Sequence, residues 1–408
     1  MQIFSELPIS PYVKERLSSA RFSTPTPVQA AAIPHALEGQ DVLATAQTGT
    51  GKTLAFLIPV MEKLLRRTST GIAALVLVPT RELAMQVVDQ YNALRGKQLS
   101  PAALVVGGLS ELQQLHVIRK GPGLVVATPG RLEDFLDRRL IYFRELQILV
   151  LDEADRMLDM GFLPAIRRIA AMLPKERQTL CFSATMEGAM ANLVKDYTRN
   201  PVRLAFGSTL KPSENVRLQA YEVTVDGKQD ALHQLLTKES GRCLVFSRTK
   251  RGAERIAKNL NREGIHAAMI HGDRSQSQRT SALAGFQQGR YRVLVATDLA
   301  SRGIHVQDIA HVINYDLPEV PENFIHRVGR TGRAGERGVA STLFTRDQRS
   351  ELFQLERTLG TRMERLALGG DRPERKDRTP GTRASVSSAA TPRMGRLPGE
   401  VLQAQMES

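Results

Sequence analysis

Tryptophan is absent, aromatic residues of all kinds make up 5% of the chain, and cysteine occurs only twice, at Cys181 and Cys243. Each cysteine lies inside an apolar run, Leu180-Cys-Phe182 and Cys243-Leu-Val-Phe246. That excludes a disulfide scaffold and fits buried free thiols in a reducing compartment. No Cys/His cluster has zinc-ligand spacing. No apolar run approaches the ~20 residues of a membrane-spanning helix. The amino terminus, Met1-Gln-Ile-Phe-Ser-Glu6, has no basic region followed by an apolar one, so a secretory leader is not expected. A soluble, cytoplasmic, monomeric protein follows. Acidic residues are outnumbered, 42 against 56 basic, for a net charge of +14. The excess is spread through both halves of the chain rather than gathered in a tail, which implies a polyanionic partner. With 408 residues, 42% of them hydrophobic, the chain has room for two cores and a tail.

One stretch carries chemistry openly. In Ala46-Gln-Thr-Gly-Thr-Gly-Lys-Thr53 an apolar strand-like run, Val42-Leu-Ala44, enters a glycine loop, and Leu54-Ala-Phe-Leu-Ile58 leaves it as a helix. Gly49 and Gly51 let the backbone turn its N–H groups onto phosphate oxygens. Lys52 offers a cation to the β/γ-phosphates and Thr53 a hydroxyl to Mg²⁺. The pattern normally opens on glycine, and here it opens on Ala46. A second stretch makes up for that departure: Ile148-Leu-Val-Leu151 reads as a buried strand and ends in Asp152 and Glu153. A carboxylate at that tip can hold Mg²⁺, and its neighbour can orient water against a γ-phosphate. Upstream, Pro25 and Pro27 are expected to keep residues 25–27 out of a helix that begins at Val28. Gln29 is placed to read an adenine edge and Phe22 to stack on the ring.

Apolar runs closed by polar or glycine clusters recur along the chain. Ala73–Val78 ends in Pro79-Thr-Arg-Glu82, Ala103–Val106 in Gly107-Gly108, Leu124–Ala127 in Thr128-Pro-Gly-Arg131, and Leu180–Phe182 in Ser183-Ala-Thr185. Helical stretches, such as Glu82–Leu94 and Leu132–Leu136, lie between them. This is an α/β chain with parallel, doubly wound sheets, whose ligands bind at the carboxyl ends of the strands. The pattern restarts after a Pro/Gly/Ser-rich linker: Cys243–Phe246 ends in Ser247-Arg-Thr-Lys250, Ala267–Ile270 in His271-Gly-Asp273, and Arg292–Ala296 in Thr297-Asp298. The expected organisation is a first domain over 1–207, a linker over 208–215, a second domain over 216–368 and a disordered basic tail over 369–408. The second domain has no phosphate loop. It has instead His326-Arg-Val-Gly-Arg-Thr-Gly-Arg333, read as a set of arginines that reach a phosphate across a cleft.

Taken together these motifs resemble the DEAD-box ATP-dependent RNA helicases, whose name spells Asp152-Glu-Ala-Asp155; the likeness covers roughly residues 1–365. It implies two tandem RecA-like domains with ATP between them and single-stranded RNA across both. It implies adenine recognition by Phe22 and Gln29, with Phe4 as an upstream aromatic. Thr48, Gly49, Thr50, Gly51, Lys52 and Thr53 would hold the phosphates, and Thr53 and Asp152 the Mg²⁺. Glu153 would act as general base, Arg330 and Arg333 as arginine fingers, and His326 would position the water. Ser183 and Thr185, partnered by Asp155, would couple hydrolysis to closure. The implied RNA contacts are Thr80, Arg81, Gly107, Gly108, Thr128, Gly130 and Arg131, with Arg248, Arg279 and Thr297 from the second domain. His305 stands where the family carries an acid that meets the ATP ribose. The function expected is RNA-stimulated ATP hydrolysis with local, non-processive unwinding, and the alternative is an ATP-gated RNA clamp. Ribosome assembly is favoured as the setting over RNA decay or cold adaptation.

Overall fold

The computed structural model describes residues 3–46, 49–67, 70–184, 195–206, 215–301, 309–332 and 337–368, the side chains of Leu299 and Ser301 excepted. The apolar runs become strands because they are apolar without alternation. The short central strands Ala74–Leu77, Leu124–Ala127, Ile148–Leu151 and Val293–Ala296 are buried at every position. Such strands need cover on both faces, which parallel sheets with crossover helices provide.

Two seven-stranded sheets result, with every pairing parallel. The first contains β1 (Val42–Ala46), β2 (Ala74–Leu77), β3 (Ala103–Val105), β4 (Leu124–Ala127), β5 (Ile148–Leu151), β6 (Gln178–Ser183) and β7 (Val202–Phe206) in the order β3-β4-β2-β5-β6-β1-β7. The second contains β8 (Val216–Glu222), β9 (Arg242–Phe246), β10 (Ala267–Ile270), β11 (Val293–Ala296), β12 (Ile309–Asn314), β13 (Gly338–Phe344) and β14 (Glu364–Leu366) in the order β10-β11-β9-β12-β13-β8-β14. Each sheet is sandwiched between two apolar cores. Around the first, the helices Pro27–Leu37, Lys52–Arg66 and Arg81–Leu94 cover one face, and Pro129–Asp137 and Leu163–Ala171 cover the other. Cores built around Phe246 and Phe324, and around Leu232 and Ile256, flank the second.

Polar side chains start the helices directly at the strand ends. Thr80 Oγ1 accepts the Leu83 N–H at 3.3 Å, Thr249 Oγ1 the Gly252 N–H at 2.9 Å, and Ser275 Oγ the Gln278 N–H at 3.3 Å. Two helix starts differ from the sequence expectation. The helix expected from Val28 begins at Pro27, and Pro129, Gly130 and Arg131, expected as loop, form the first turn of Pro129–Asp137. In both cases proline occupies the first helical position, where its missing N–H has no intrahelical partner to lose. The expected boundary at 207, the linker over 208–214 and the tail over 369–408 lie outside the described residues.

Candidate active site

Strand order decides what can meet. Along the carboxyl edge of the first sheet, β6 separates β1 from β5, and Thr45 lies level with Ser183. The phosphate loop after β1 and Asp152 after β5 are therefore two strand spacings apart, ~10 Å. Gly49 and Gly51 take the positive φ angles of 90° and 91° that the loop demands. Lys52 is buried, and its Nζ donates to Ala46 O at 2.9 Å. Gln29 closes the loop from the side: its Nε2 donates to Gly51 O at 2.9 Å and its Oε1 accepts from Thr26 N at 2.9 Å. A Cβ on Gly51 would collide with that amide. Gln29 keeps one N–H and one lone pair beyond these bonds, which is what an adenine edge requires. Phe22 is 37% exposed, whereas Phe4 is packed into the core and has no free face for a base.

Asp152 is buried beside Glu153 and Asp155. Burial raises its carboxyl to about 7, with Lys52 opposing the shift. It accepts the Glu153 N–H at 2.9 Å. Glu153 sits at φ 51°, an uncommon left-handed conformation for a non-glycine residue, at the start of the Ala154–Asp159 helix. Burial acts to raise its pKa, yet the cations of Arg156, Lys52 and Arg330 together hold it well below the usual carboxylate range. Arg156 forms a buried ion pair with it. Asp155 accepts the Ala184 N–H at 3.0 Å, tying the end of β6 to the Asp152–Asp155 turn next to the buried Ser183. From the second sheet, the Pro321–Val328 helix brings His326 into the same field. Burial lowers the imidazole to about 4, assisted by Arg156, and its Nδ1 has no hydrogen-bond partner. Arg330, also buried, lies one turn beyond, with its Nε donating to His326 O at 3.2 Å.

Arg327 corrects the expectation of a set of arginines directed at one phosphate. Its guanidinium is buried inside the second domain, with Nε and Nη2 donating to the two oxygens of Asp298 at 2.5 and 2.6 Å and Nη1 to Asp316 O at 2.7 Å. Arg333, Thr48, Thr185 and His305 lie outside the described residues.

The other half of each carboxyl edge gathers a different set. In the first sheet β3, β4 and β2 are consecutive, so Gly107-Gly108, Thr128-Pro-Gly-Arg131 and Thr80-Arg81 stand side by side. In the second, β10, β11 and β9 place Gln276 to Arg279, Thr297 and Arg248 likewise. The N-termini of the helices at Arg81, Pro129, Lys250 and Gln276 thus open on one side of the molecule, and helix N-termini favour anions. Gly107 and Gly108 lie against the Arg81 guanidinium, where any Cβ would crowd it. Gly130 is different: a Cβ there would meet nothing within 4 Å, so no protein atom accounts for a glycine in that helix. Arg131 stacks over Phe135 at 5.4 Å and approaches Glu111 at 3.7 Å. Arg248 is exposed, and its backbone N–H donates to Asp316 Oδ2 at 3.0 Å.

The two halves meet through Glu82, buried in the first domain. Its Oε1 accepts from Gln276 Nε2 at 3.2 Å and pairs with Arg279 Nη2 at 2.9 Å, and Arg81 Nη1 donates to Gln276 Oε1 at 3.3 Å. Burial, then the neighbouring Arg279, lowers the Arg81 pKa.

Residues 26–193 match the DEAD/DEAH box helicase family and residues 227–335 the helicase conserved C-terminal domain. A DEAD-box ATP-dependent RNA helicase CshA from Geobacillus kaustophilus is 40% identical over 367 residues, covering 90% of this chain and 78% of the relative. The chain belongs to the DEAD-box helicase family.

Among solved structures, Dbp5 of S. cerevisiae bound to RNA and ADP BeF3 is 29% identical, with a TM-score of 0.82 over 90% of this chain and 96% of that one. A Dbp5 variant bound to Nup159, Gle1, IP6 and ADP is 28% identical over 88% of this chain and 96% of that one, but its TM-score is 0.63. At near-equal identity, the whole-chain fit of this DEAD-box protein is closer to the RNA-bound relative than to that variant. Sequence reasoning missed Arg156, Glu82, Gln276 and the Arg327–Asp298 pair. The signal was present in each case as a polar or charged residue within or beside a named motif, but which of those residues are buried depends on sheet order.

Proposed function

We infer that this chain is an ATP-dependent RNA helicase in which each domain supplies half of an ATP site and half of an RNA site. The observation that carries the reading is that Glu153 of the first domain shares one buried field with His326 and Arg330 of the second. Hydrolysis then requires closure, and closure also joins the two RNA half-sites, so ATP and RNA bind cooperatively by linkage. Backbone contacts dominate such a grip, so low sequence specificity follows.

The phosphate loop cradles the triphosphate, and Lys52 exchanges Ala46 O for a β/γ oxygen. Mg²⁺ fits the donor set: Asp152 is a buried carboxylate short of positive charge, and Thr53 adds a hard oxygen. These two residues would hold the ion, which would neutralise charge on the phosphate oxygens. Glu153, kept ionised by its surrounding cations, accepts a hydrogen bond from the attacking water and orients it; Arg330, with Arg333, stabilises charge on the transferred group. Neutral His326, whose Nδ1 has no hydrogen-bond partner, is assigned to positioning the same water. Asp155, through the Ala184 backbone, links this chemistry to Ser183 and Thr185. Gln29, with Phe22, is assigned to adenine selection, and His305 is assigned to the ribose. Thr80, Arg81, Gly107, Gly108, Thr128, Gly130, Arg131, Arg248, Arg279 and Thr297 hold the RNA. A cytoplasmic monomer acting in ribosome assembly is the setting we favour, and crosslinking and sequencing of bound RNA in cells tests it.

Steady-state ATPase with and without single-stranded RNA tests the reading. Wild type is expected to be stimulated, and Glu153→Gln to bind ATP and RNA yet lose turnover at least a hundredfold, about 2.7 kcal/mol. Turnover by that variant within tenfold of wild type would contradict the role of Glu153. RNA binding without stimulated turnover would leave an ATP-gated clamp.

A further inference from the structure

The helix Lys250–Arg262 starts beside Arg248 and runs away from the RNA side along the edge of the second sheet. Ala253, Ile256, Ala257 and Leu260 bury its inner face. Its outer face exposes Lys250, Arg251, Arg255, Lys258 and Arg262 against a single acid, Glu254. A solvated helix face ordinarily mixes signs so that residues four apart attract. Here Arg251 and Arg255, and again Lys258 and Arg262, are like charges at that spacing and repel, and only Glu254, four residues from both Lys250 and Lys258, offsets them. Lys250 and Arg251 also occupy the first turn, at the positive end of the helix dipole. Both arrangements disfavour the free helix and become favourable beside a polyanion. Lys250 is matched by Asp273 at 2.5 Å. No side-chain hydrogen bond or ion pair engages Lys258 or Arg262 among the described residues.

Between this face and the edge strand β10 lies an open groove of about 660 Å³, lined by Glu254, Lys258, Asn261, Arg262, Met269 and Arg274. Arg274 is poorly matched to its surroundings. Its Nη2 is 3.2 Å from Met269 Sδ, a weak acceptor, and its buried Nε has no partner. A guanidinium short of acceptors, in a groove whose rim is cationic, suits phosphate oxygens.

We propose that this groove and the basic face of the Lys250–Arg262 helix form a second track for the phosphate backbone of RNA, gripping nucleotides that flank the core site. The inference rests on RNA being the substrate. The track continues from Arg248, and twelve helical rises of ~1.5 Å give it ~18 Å, room for several nucleotides. An acidic protein is the less suitable occupant, because no large apolar or aromatic anchor projects from the groove for a protein interface to centre on.

The full chain carrying Lys258→Gln and Arg262→Gln tests this; both residues are exposed, so the fold is preserved. Anisotropy of labelled oligouridine is measured over a salt series with a non-hydrolysable ATP analogue, for strands of about ten and about thirty nucleotides. For the longer strand, the slope of log affinity against log salt should fall by about 1.4, roughly 0.7 for each lost cation. The shorter strand, held by the core alone, should be unaffected. Unchanged slopes at both lengths would overturn the track, and so would equal losses at both lengths, which would put these residues in the core grip. Failure of wild type to bind either strand would instead remove the RNA reading itself.

Discussion

Glu82 allows a quantitative test of how the two domains are joined. Its carboxylate is 5% exposed and lies between Gln276 and Arg279 of the other domain. Only Oε1 makes these contacts, since Oε2 is buried without a hydrogen-bond partner. Truncating one member of a desolvated charge pair at an interface costs about 2–5 kcal/mol. With one oxygen engaged, the low end applies, and about 2 kcal/mol corresponds to roughly thirtyfold. Glu82→Ala should therefore raise the RNA concentration for half-maximal ATPase roughly thirtyfold. The KM for ATP without RNA should not move, because the pair forms only on closure. A competing effect has the opposite sign: removing an acid makes the RNA side more positive. Because Glu82 is buried beside Arg81 and Arg279, salt screens that effect only weakly. A double-mutant cycle with Arg279→Ala separates the two. Coupling of at least 1 kcal/mol between the substitutions is expected, and additivity within about 0.5 kcal/mol would refute an interdomain Glu82–Arg279 pair in the working enzyme.

Two further predictions follow from single residues. Gly130→Ala should raise the melting temperature slightly, because alanine favours a helix by about 1 kcal/mol over glycine, yet weaken RNA-stimulated ATPase; unchanged RNA stimulation would show that no RNA approaches that helix. His311 is buried against Ser341 Oγ at 2.8 Å, and burial lowers its pKa to about 4, below the ~6.5 of the unfolded chain. The unfolded state thus binds the proton first on acidification, so stability is present above pH ~6.5 and is lost as pH falls toward 4, by up to about 3 kcal/mol. Denaturant midpoints for wild type and His311→Gln check this, since the variant should show a shallower acid slope.

Fold class was legible because buried parallel strands announce themselves: Ile148–Leu151 and Val293–Ala296 contain no polar residue and end in carboxylate-bearing turns. The phosphate loop was legible because its two glycines and Lys52 fall within four residues, Gly49 to Lys52. Legibility ended where function depends on pairings across the chain. Gln276 and Glu82 are 194 residues apart and meet only through sheet order and closure. Arg327 and Arg330 look alike in sequence, yet Arg327, in the last turn of the Pro321–Val328 helix, goes to Asp298, whereas Arg330, past the helix end, lies beside the residues of the first domain. Pro27 and Pro129 misled for a local reason: proline marks a helix start as readily as a break.

If Glu153, His326 and Arg330 are brought together by closure, and closure needs both ligands, the distance between the domains must report it. Because Cys181 and Cys243 are buried, dyes can be directed to Lys120→Cys in the first domain and Glu351→Cys in the second, both exposed positions. Single-molecule energy transfer between them, recorded with a non-hydrolysable ATP analogue, with single-stranded RNA and with both, tests the claim most directly. A new, uniform transfer state present only with both ligands is predicted; the same state with either ligand alone, or no change with both, would contradict the account.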